Sequence, residues 1–221
     1  MKKTGLFLLM ILIGMSMQAQ VITDKKSTDV SLGVDLFTDI LTKTPDDYNQ
    51  RWINQGFNLF LTYNFKIGKT PHLFSIGTGL RTHNFYSNTQ IDNIKADTIR
   101  FVPISSDLTY TRSKINLVYL DFPAEFRFRI HDQWKIGIGF KMGIAIDSKT
   151  KYIGNQKTDA TKRHIKEKNI NSLEKYTFGP TLRIGYKWIN LFAYYQPIRS
   201  FQRDLGPEFY PLSVGLTIAP F

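Results

Sequence analysis

The stretch from Trp134 to Asp147 constrains the fold more than any other part of the chain. Its even positions are Trp134, Ile136, Ile138, Phe140, Met142, Ile144 and Ile146; its odd positions are Lys135, Gly137, Gly139, Lys141, Gly143, Ala145 and Asp147. Unbroken alternation of this kind is a β-strand with large apolar groups on one face and glycines, lysines and an acid on the other. Such a strand cannot lie in a sheet buried on both faces. A secreted barrel of the lipocalin kind turns the apolar face inward, whereas a transmembrane barrel turns it outward to lipid. The remaining segments have to decide between the two.

The amino end narrows the choice. Met1-Lys2-Lys3-Thr4 precedes the apolar run Leu6 to Ile13, and Met17-Gln18-Ala19-Gln20 follows. A basic start, a short apolar run and a small residue before a polar one predict a secretory signal peptide over 1–19, cut after Ala19. The run is shorter than the roughly twenty helical residues that span a bilayer, and no other stretch is long and apolar enough to be a transmembrane helix. If the exported part, 20–221, enters a membrane, it does so as strands. Cysteine is absent, which excludes disulfides and thiolate metal sites. The formal charge of +11 includes Lys2 and Lys3, which the cut removes. Aromatics make up 14% of the chain, yet they do not cluster with the basic residues as a single-strand platform requires, so nucleic acid is not the expected partner.

Seven further strands follow from the same pattern. Val30, Leu32, Val34 and Leu36 alternate with Ser31, Gly33 and Asp35, before a polar loop from about Thr42 to Asn54. Phe57, Leu59, Leu61, Tyr63, Phe65 and Ile67 oppose Asn58, Thr62, Asn64 and Lys66, with Phe60 out of pattern. After Gly68-Lys69-Thr70-Pro71, the residues Phe74, Ile76 and Leu80 oppose Ser75, Gly77, Gly79, Arg81 and His83. That turn pairs Phe65 with Phe74, Tyr63 with Ile76 and Leu59 with Leu80. A slip of one residue would send every side chain to the wrong face, so the match supports the hairpin.

A long polar segment from Tyr86 to Arg112 contains alternating pieces at Ile99 to Ile104 and Leu108 to Tyr110, which suit strand extensions beyond a membrane. The next strand enters near Ile115 and carries Val118, Leu120, Phe122, Ala124, Phe126, Phe128 and Ile130 on one face. Its apolar set changes parity between Ile115 and Val118, which predicts a bulge near Leu117 to Leu120. His131-Asp132-Gln133 then turns into Trp134, pairing Phe128 with Ile136 and Phe126 with Ile138. A hydrophilic loop runs from Ser148 to Lys175. Tyr176, Phe178, Leu182, Ile184 and Tyr186 mark another strand, Leu191 to Gln196 one whose faces stay unassigned, and Leu212, Val214, Leu216 and Ile218 the last.

The connections alternate long and short. With a periplasmic amino end, every long one falls outside and every short one inside, an arrangement a soluble sandwich has no reason to adopt. The expected fold is all-β: an eight-stranded antiparallel transmembrane β-barrel with short periplasmic turns and long extracellular loops, in the cell outer membrane.

Eight strands enclose an axis just wide enough for side chains. Glycines at 33, 77, 79, 137, 139, 143, 179 and 185 make room on the inner face for Asp35, Arg81, Asp121, Glu125, Arg127, Lys135, Lys141 and Arg183. Glu125 falls opposite Gly139 and diagonal to Lys141, which predicts an interior network of Asp121, Glu125, Lys141 and Arg183 that fills the axis; an open channel is the alternative. Among the histidines, His72 and His131 fall at turns and His164 in the basic loop. His83 alone sits on a strand, and Ser75, eight residues away on the same face, is too far for a nucleophile and base pair. Neither a catalytic set, nor metal-ligand spacing, nor a cofactor motif is expected. The basic loop, with Lys149, Lys151, Lys157, Lys162, Arg163, Lys166 and Lys168, is the candidate contact for lipopolysaccharide.

Tyr119-Leu120-Asp121-Phe122-Pro123, Gly137-Ile138-Gly139, Phe178-Gly179-Pro180 with Gly185-Tyr186, and the terminal Phe221 resemble the PorT-type outer-membrane β-barrel proteins of Bacteroidota, and the Ala19-Gln20 signal end is similar to theirs. The resemblance spans nearly all of the exported chain. It departs at Ala124-Glu125, where the family continues with aliphatic residues, and at Pro220, which interrupts the last strand. It implies a barrel linked to protein secretion or gliding. The expected function is a non-enzymatic structural or interaction component whose outer loops contact surface glycolipid or a protein partner. The alternatives are a small transport barrel for an apolar or anionic solute and a lipid-modifying enzyme using His83.

Overall fold

The computed structural model describes residues 29–130, 133–156 and 159–219, with backbone alone at 156 and 159–163. The predicted signal peptide, His131, Asp132, Lys157, Pro220 and Phe221 lie outside the described residues. The strands are β1 (Val30–Thr42), β2 (Gln55–Lys66), β3 (Leu73–Tyr86), β4 (Thr89–Ile91), β5 (Phe101–Pro103), β6 (Tyr110–Arg129), β7 (Trp134–Gln156), β8 (Asp159–Lys168), β9 (Tyr176–Tyr186), β10 (Ile189–Tyr195) and β11 (Tyr210–Ile218). Eight of them run β6-β3-β2-β1-β11-β10-β9-β7, and the β6–β7 pairing closes the ring. All of these pairings are antiparallel. The fold is the predicted eight-stranded barrel. It has no open edge within the ring, which is what a strand-built membrane span requires.

The apolar flank faces out. Leu59, Leu61, Tyr63 and Phe65 of β2, Phe122, Phe126 and Phe128 of β6, Ile138, Phe140 and Met142 of β7, and Leu182 and Ile184 of β9 are all exposed. The predicted registers hold, with Phe65 against Phe74, Leu59 against Leu80 and Phe126 against Ile138. Trp134, Tyr186 and Trp188 gather at the short-turn end of this belt, while Tyr176 and Tyr195 stand toward the other, as aromatic girdles do at the two lipid–water interfaces. On β6 and β7 the belt stops at Val118 and Ile146.

Three expectations need correction. First, the predicted bulge lies at the expected height but on the other strand. The register shifts between Val118 and Tyr119, whose partners are Asp147 and Ala145, so Ile146 is the extra residue. β6 itself keeps its parity, and Ile115, Leu117 and Tyr119 stay inside because the interior turns apolar there. Second, the hydrophilic segment from Ser148 to Lys175 is largely a ribbon. β7 runs for 23 residues, well past the belt, and β8 pairs with its upper half before β9 pairs with the lower. Third, β6 begins at Tyr110, five residues before Ile115, and pairs with that upper half as well.

Candidate functional site

The barrel axis is filled from the short-turn end upward. Asp35 lies at its centre and accepts from Thr217 Oγ1 at 2.6 Å, Asn58 Nδ2 at 2.7 Å and Arg183 Nη2 at 3.1 Å. Arg183 also donates to Glu125 Oε2, and Glu125 Oε1 takes Arg127 Nε at 2.8 Å. One turn of the barrel higher, Asp121 meets Arg81 Nε at 2.8 Å and Lys141 Nζ at 3.4 Å. Asp39 accepts from Ser213 Oγ at 2.6 Å and stands 2.7 Å from His83 Nδ1. Three buried carboxylates, Asp35, Asp121 and Glu125, thus face Arg81, Arg127, Lys141 and Arg183, while the fourth, Asp39, is held by Ser213 and His83, and every one of these side chains is buried. A buried charge without a partner is costly, so this matching is what makes a charged axis tolerable.

The four residues expected to form one network fall into two pairs, Asp121 with Lys141 and Glu125 with Arg183. Asp35, Arg81 and Arg127, which the strand pattern puts on the inner face but outside that network, are the links that complete them. Aromatic rings are the larger omission. Lys141 Nζ sits 4.1 Å from the Tyr194 ring centroid, Arg81 lies 4.7 Å from both Tyr119 and Tyr194, and Arg183 lies between Phe60 and Phe192 at 5.1 and 4.9 Å. These cation–π contacts explain why Phe60 breaks the β2 pattern and settle the faces of β10, with Phe192 and Tyr194 inside and Leu191 and Tyr195 outside. The Phe60 ring covers Gly33, where any Cβ would collide with it. The space beside Glu125, Lys141 and Arg183 amounts to about 10 Å³, about the size of one water probe.

The long-loop end is closed by apolar side chains. Leu41, Tyr48, Phe85, Ile91, Ile94, Ile99, Ile115, Leu117, Tyr119, Ile170, Phe201 and Phe209 form one buried cluster. It joins the tops of strands to all four long connections. Backbone bonds lace the connections together: Ile99 N donates to Leu205 O, Asn171 N to Ile94 O and Gln202 N to Ser172 O. His83 lies beneath this cluster against Phe37, Phe85 and Tyr119. Ser213 donates to Asp39 rather than to the imidazole, and Ser75 donates to Asn64 at 2.7 Å. Among the described residues no cluster of His, Cys, Asp or Glu suits a metal.

The basic residues beyond the belt sort by strand face. Lys149 pairs across from Lys168, Lys151 from Lys166, and Lys114 of β6 from Lys151, so these five share the outward face. Arg112 continues that face on β6. Lys162 and Arg163 lie within β8, Arg163 opposite Gly154, and Lys157 is outside the described residues. Lys114 and Arg112 were missed because the polar segment up to Arg112 carries no alternation that joins its short extended pieces to the strand entering near Ile115. Lys114 is held by Asn84 Oδ1 at 2.6 Å and lies over the Tyr86 ring. Partial burial, together with Arg112, Lys151 and Lys149, pulls its pKa down to about 8.

The sequence profile described as "Outer membrane protein beta-barrel domain" matches residues 27–203. No curated protein matches the chain. Among solved structures, Ail of Yersinia pestis in complex with the heparin analogue sucrose octasulfate aligns at 12% identity and a TM-score of 0.40, covering 86% of this chain and 97% of that one. Ail in a phospholipid nanodisc aligns at 13% identity and a TM-score of 0.37, covering 86% and 98%.

Proposed function

Because the chain belongs to the outer membrane protein beta-barrel domain family and sits in the outer membrane, we propose that it is a non-enzymatic, sealed barrel acting as a surface interaction component. Its outer connections contact anionic glycolipid or a protein partner, and in the PorT-like form of this reading the partner belongs to a protein-export assembly. One observation carries the proposal: the route through the ring is filled along its length, the axis by paired charges and the mouth by the apolar cluster. A transport barrel needs a water-wide path, and the axial space beside Glu125 admits at most a single water. A hydrolase needs a nucleophile bonded to its base. The serine that shares Asp39 with His83 instead spends its proton on the carboxylate.

Planar-bilayer recording of the purified chain tests the sealed barrel. Silence at low voltage is expected, and a persistent open level would overturn it. Intact lipid A in expressing cells is expected as well; a change that disappears in His83→Ala would establish the enzyme instead. Affinity purification from the native outer membrane identifies the partner.

A further inference from the structure

Two rows of like charge run across the outward face just beyond the lipid belt. Lys114, Lys151 and Lys166 lie side by side on β6, β7 and β8, and Lys149 and Lys168 form the row below. Like charges directly opposite one another in a ladder are destabilising. The face nevertheless stacks three such pairs, and Arg112 adds a further positive charge. Asp147, 3.0 Å from Lys149, is the carboxylate close to this group, and Glu167 falls on the opposite face of β8, across from Thr150. Neighbouring strands are about 4.8 Å apart and alternate residues about 7 Å, so the backbone positions of the five lysines outline a patch of about 10 by 7 Å. That span suits one or two phosphate groups, and its height suits the headgroups of the leaflet whose acyl chains meet Val118 and Ile146. Beside it, Arg51 reaches the Tyr86 ring from its own loop, and the adjacent Trp52 and Ile53 are exposed, Trp52 at 93%. An exposed indole is the kind of side chain that settles at a lipid–water interface.

We propose that the outward face of β6, β7 and β8 binds the phosphate groups of an outer-leaflet glycolipid, with Lys114 and Lys151 at the centre of the site. This rests on the surface-contact reading above and names its ligand. Lys114 is the positioned element, since Asn84 and Tyr86 fix its ammonium before any ligand arrives. The other lysines reach over the bound phosphate from the ribbon. Binding relieves the repulsion that the ladder imposes, so affinity comes from charges whose mutual approach is already built into the fold.

The test uses the full mature chain in phosphatidylcholine nanodiscs doped with lipid A or with its dephosphorylated form, and native mass spectrometry counts retained glycolipid. The wild type should retain the phosphorylated form preferentially. Lys114→Gln/Lys151→Gln should lose about tenfold, since charge-assisted bonds to phosphate are the stronger kind. A control of equal charge change in other outer connections, Lys43→Gln/Arg203→Gln, should lose less than twofold. Circular dichroism verifies that both double variants keep the barrel. Equal loss in the two double variants would overturn the site while leaving surface contact standing as diffuse attraction. Equal retention of the dephosphorylated lipid would also overturn it. Retention of neither lipid by the wild type would sink the site and the glycolipid part of the proposed function together.

Discussion

Arg183 shows how much a single side chain holds in this interior. It joins Asp35 of β1 to Glu125 of β6 across the axis while its flat face lies between Phe60 and Phe192. Arg183→Met keeps the volume but leaves two carboxylates facing each other in a water-poor core. Removing one partner of a buried ion pair costs about 3–5 kcal/mol, and urea unfolding of the reconstituted barrel should show a loss of that size; a loss under about 1 kcal/mol would mean that water reaches the axis. The glycines and charges of the inner face were legible because each has only one sensible side. Phe192 and Tyr194 were not, because an aromatic ring suits lipid and a caged cation equally well. Their side is set by Lys141 and Arg81, which arrive from other strands.

At the scale of elements, the hairpins could be read from their turns, since short connections fix register and register fixes every face. The ribbon of β7 and β8 could not. Beyond the membrane the outward face no longer has to be apolar, so the alternation that marks a strand within lipid vanishes from the sequence although the ladder continues. The same loss of signal hid the start of β6, and with it Lys114 and Arg112. The cradle they complete has a pH signature. Lys114 is depressed to about 8 by burial and by Arg112, Lys151 and Lys149, with Asn84, Tyr86 and Arg51 its other neighbours. A phosphate favours the charged ammonium, so below pH 8 the site is ready, and above it binding must first take up a proton. Retention of phosphorylated glycolipid should therefore fall between pH 7 and pH 9 in the wild type and change far less in Lys114→Gln. Parallel curves for the two proteins would remove Lys114 from the site.

For the whole molecule, the architecture follows from one inversion. Apolar side chains surround the ring, polar and charged ones occupy its axis together with the aromatic rings of Phe37, Phe60, Phe192 and Tyr194, and at the outer mouth a larger apolar cluster lies inside, where the long connections meet it. A soluble carrier of the lipocalin kind would have the opposite order. The absence of cysteine from the chain makes this order directly measurable, because single cysteines can be introduced and spin-labelled one at a time. Labels along β7 in lipid bilayers should sort by face: those replacing Ile136, Ile138, Phe140 and Met142 accessible to oxygen from the lipid tails, and one replacing Lys141, the inner position between them that is not a glycine, shielded from it; at Gly137 and Gly139 a Cβ alone would already strike Glu125 and Ala124. The reverse pattern, with the label at Ile138 shielded and the one at Lys141 in contact with lipid, would contradict the account.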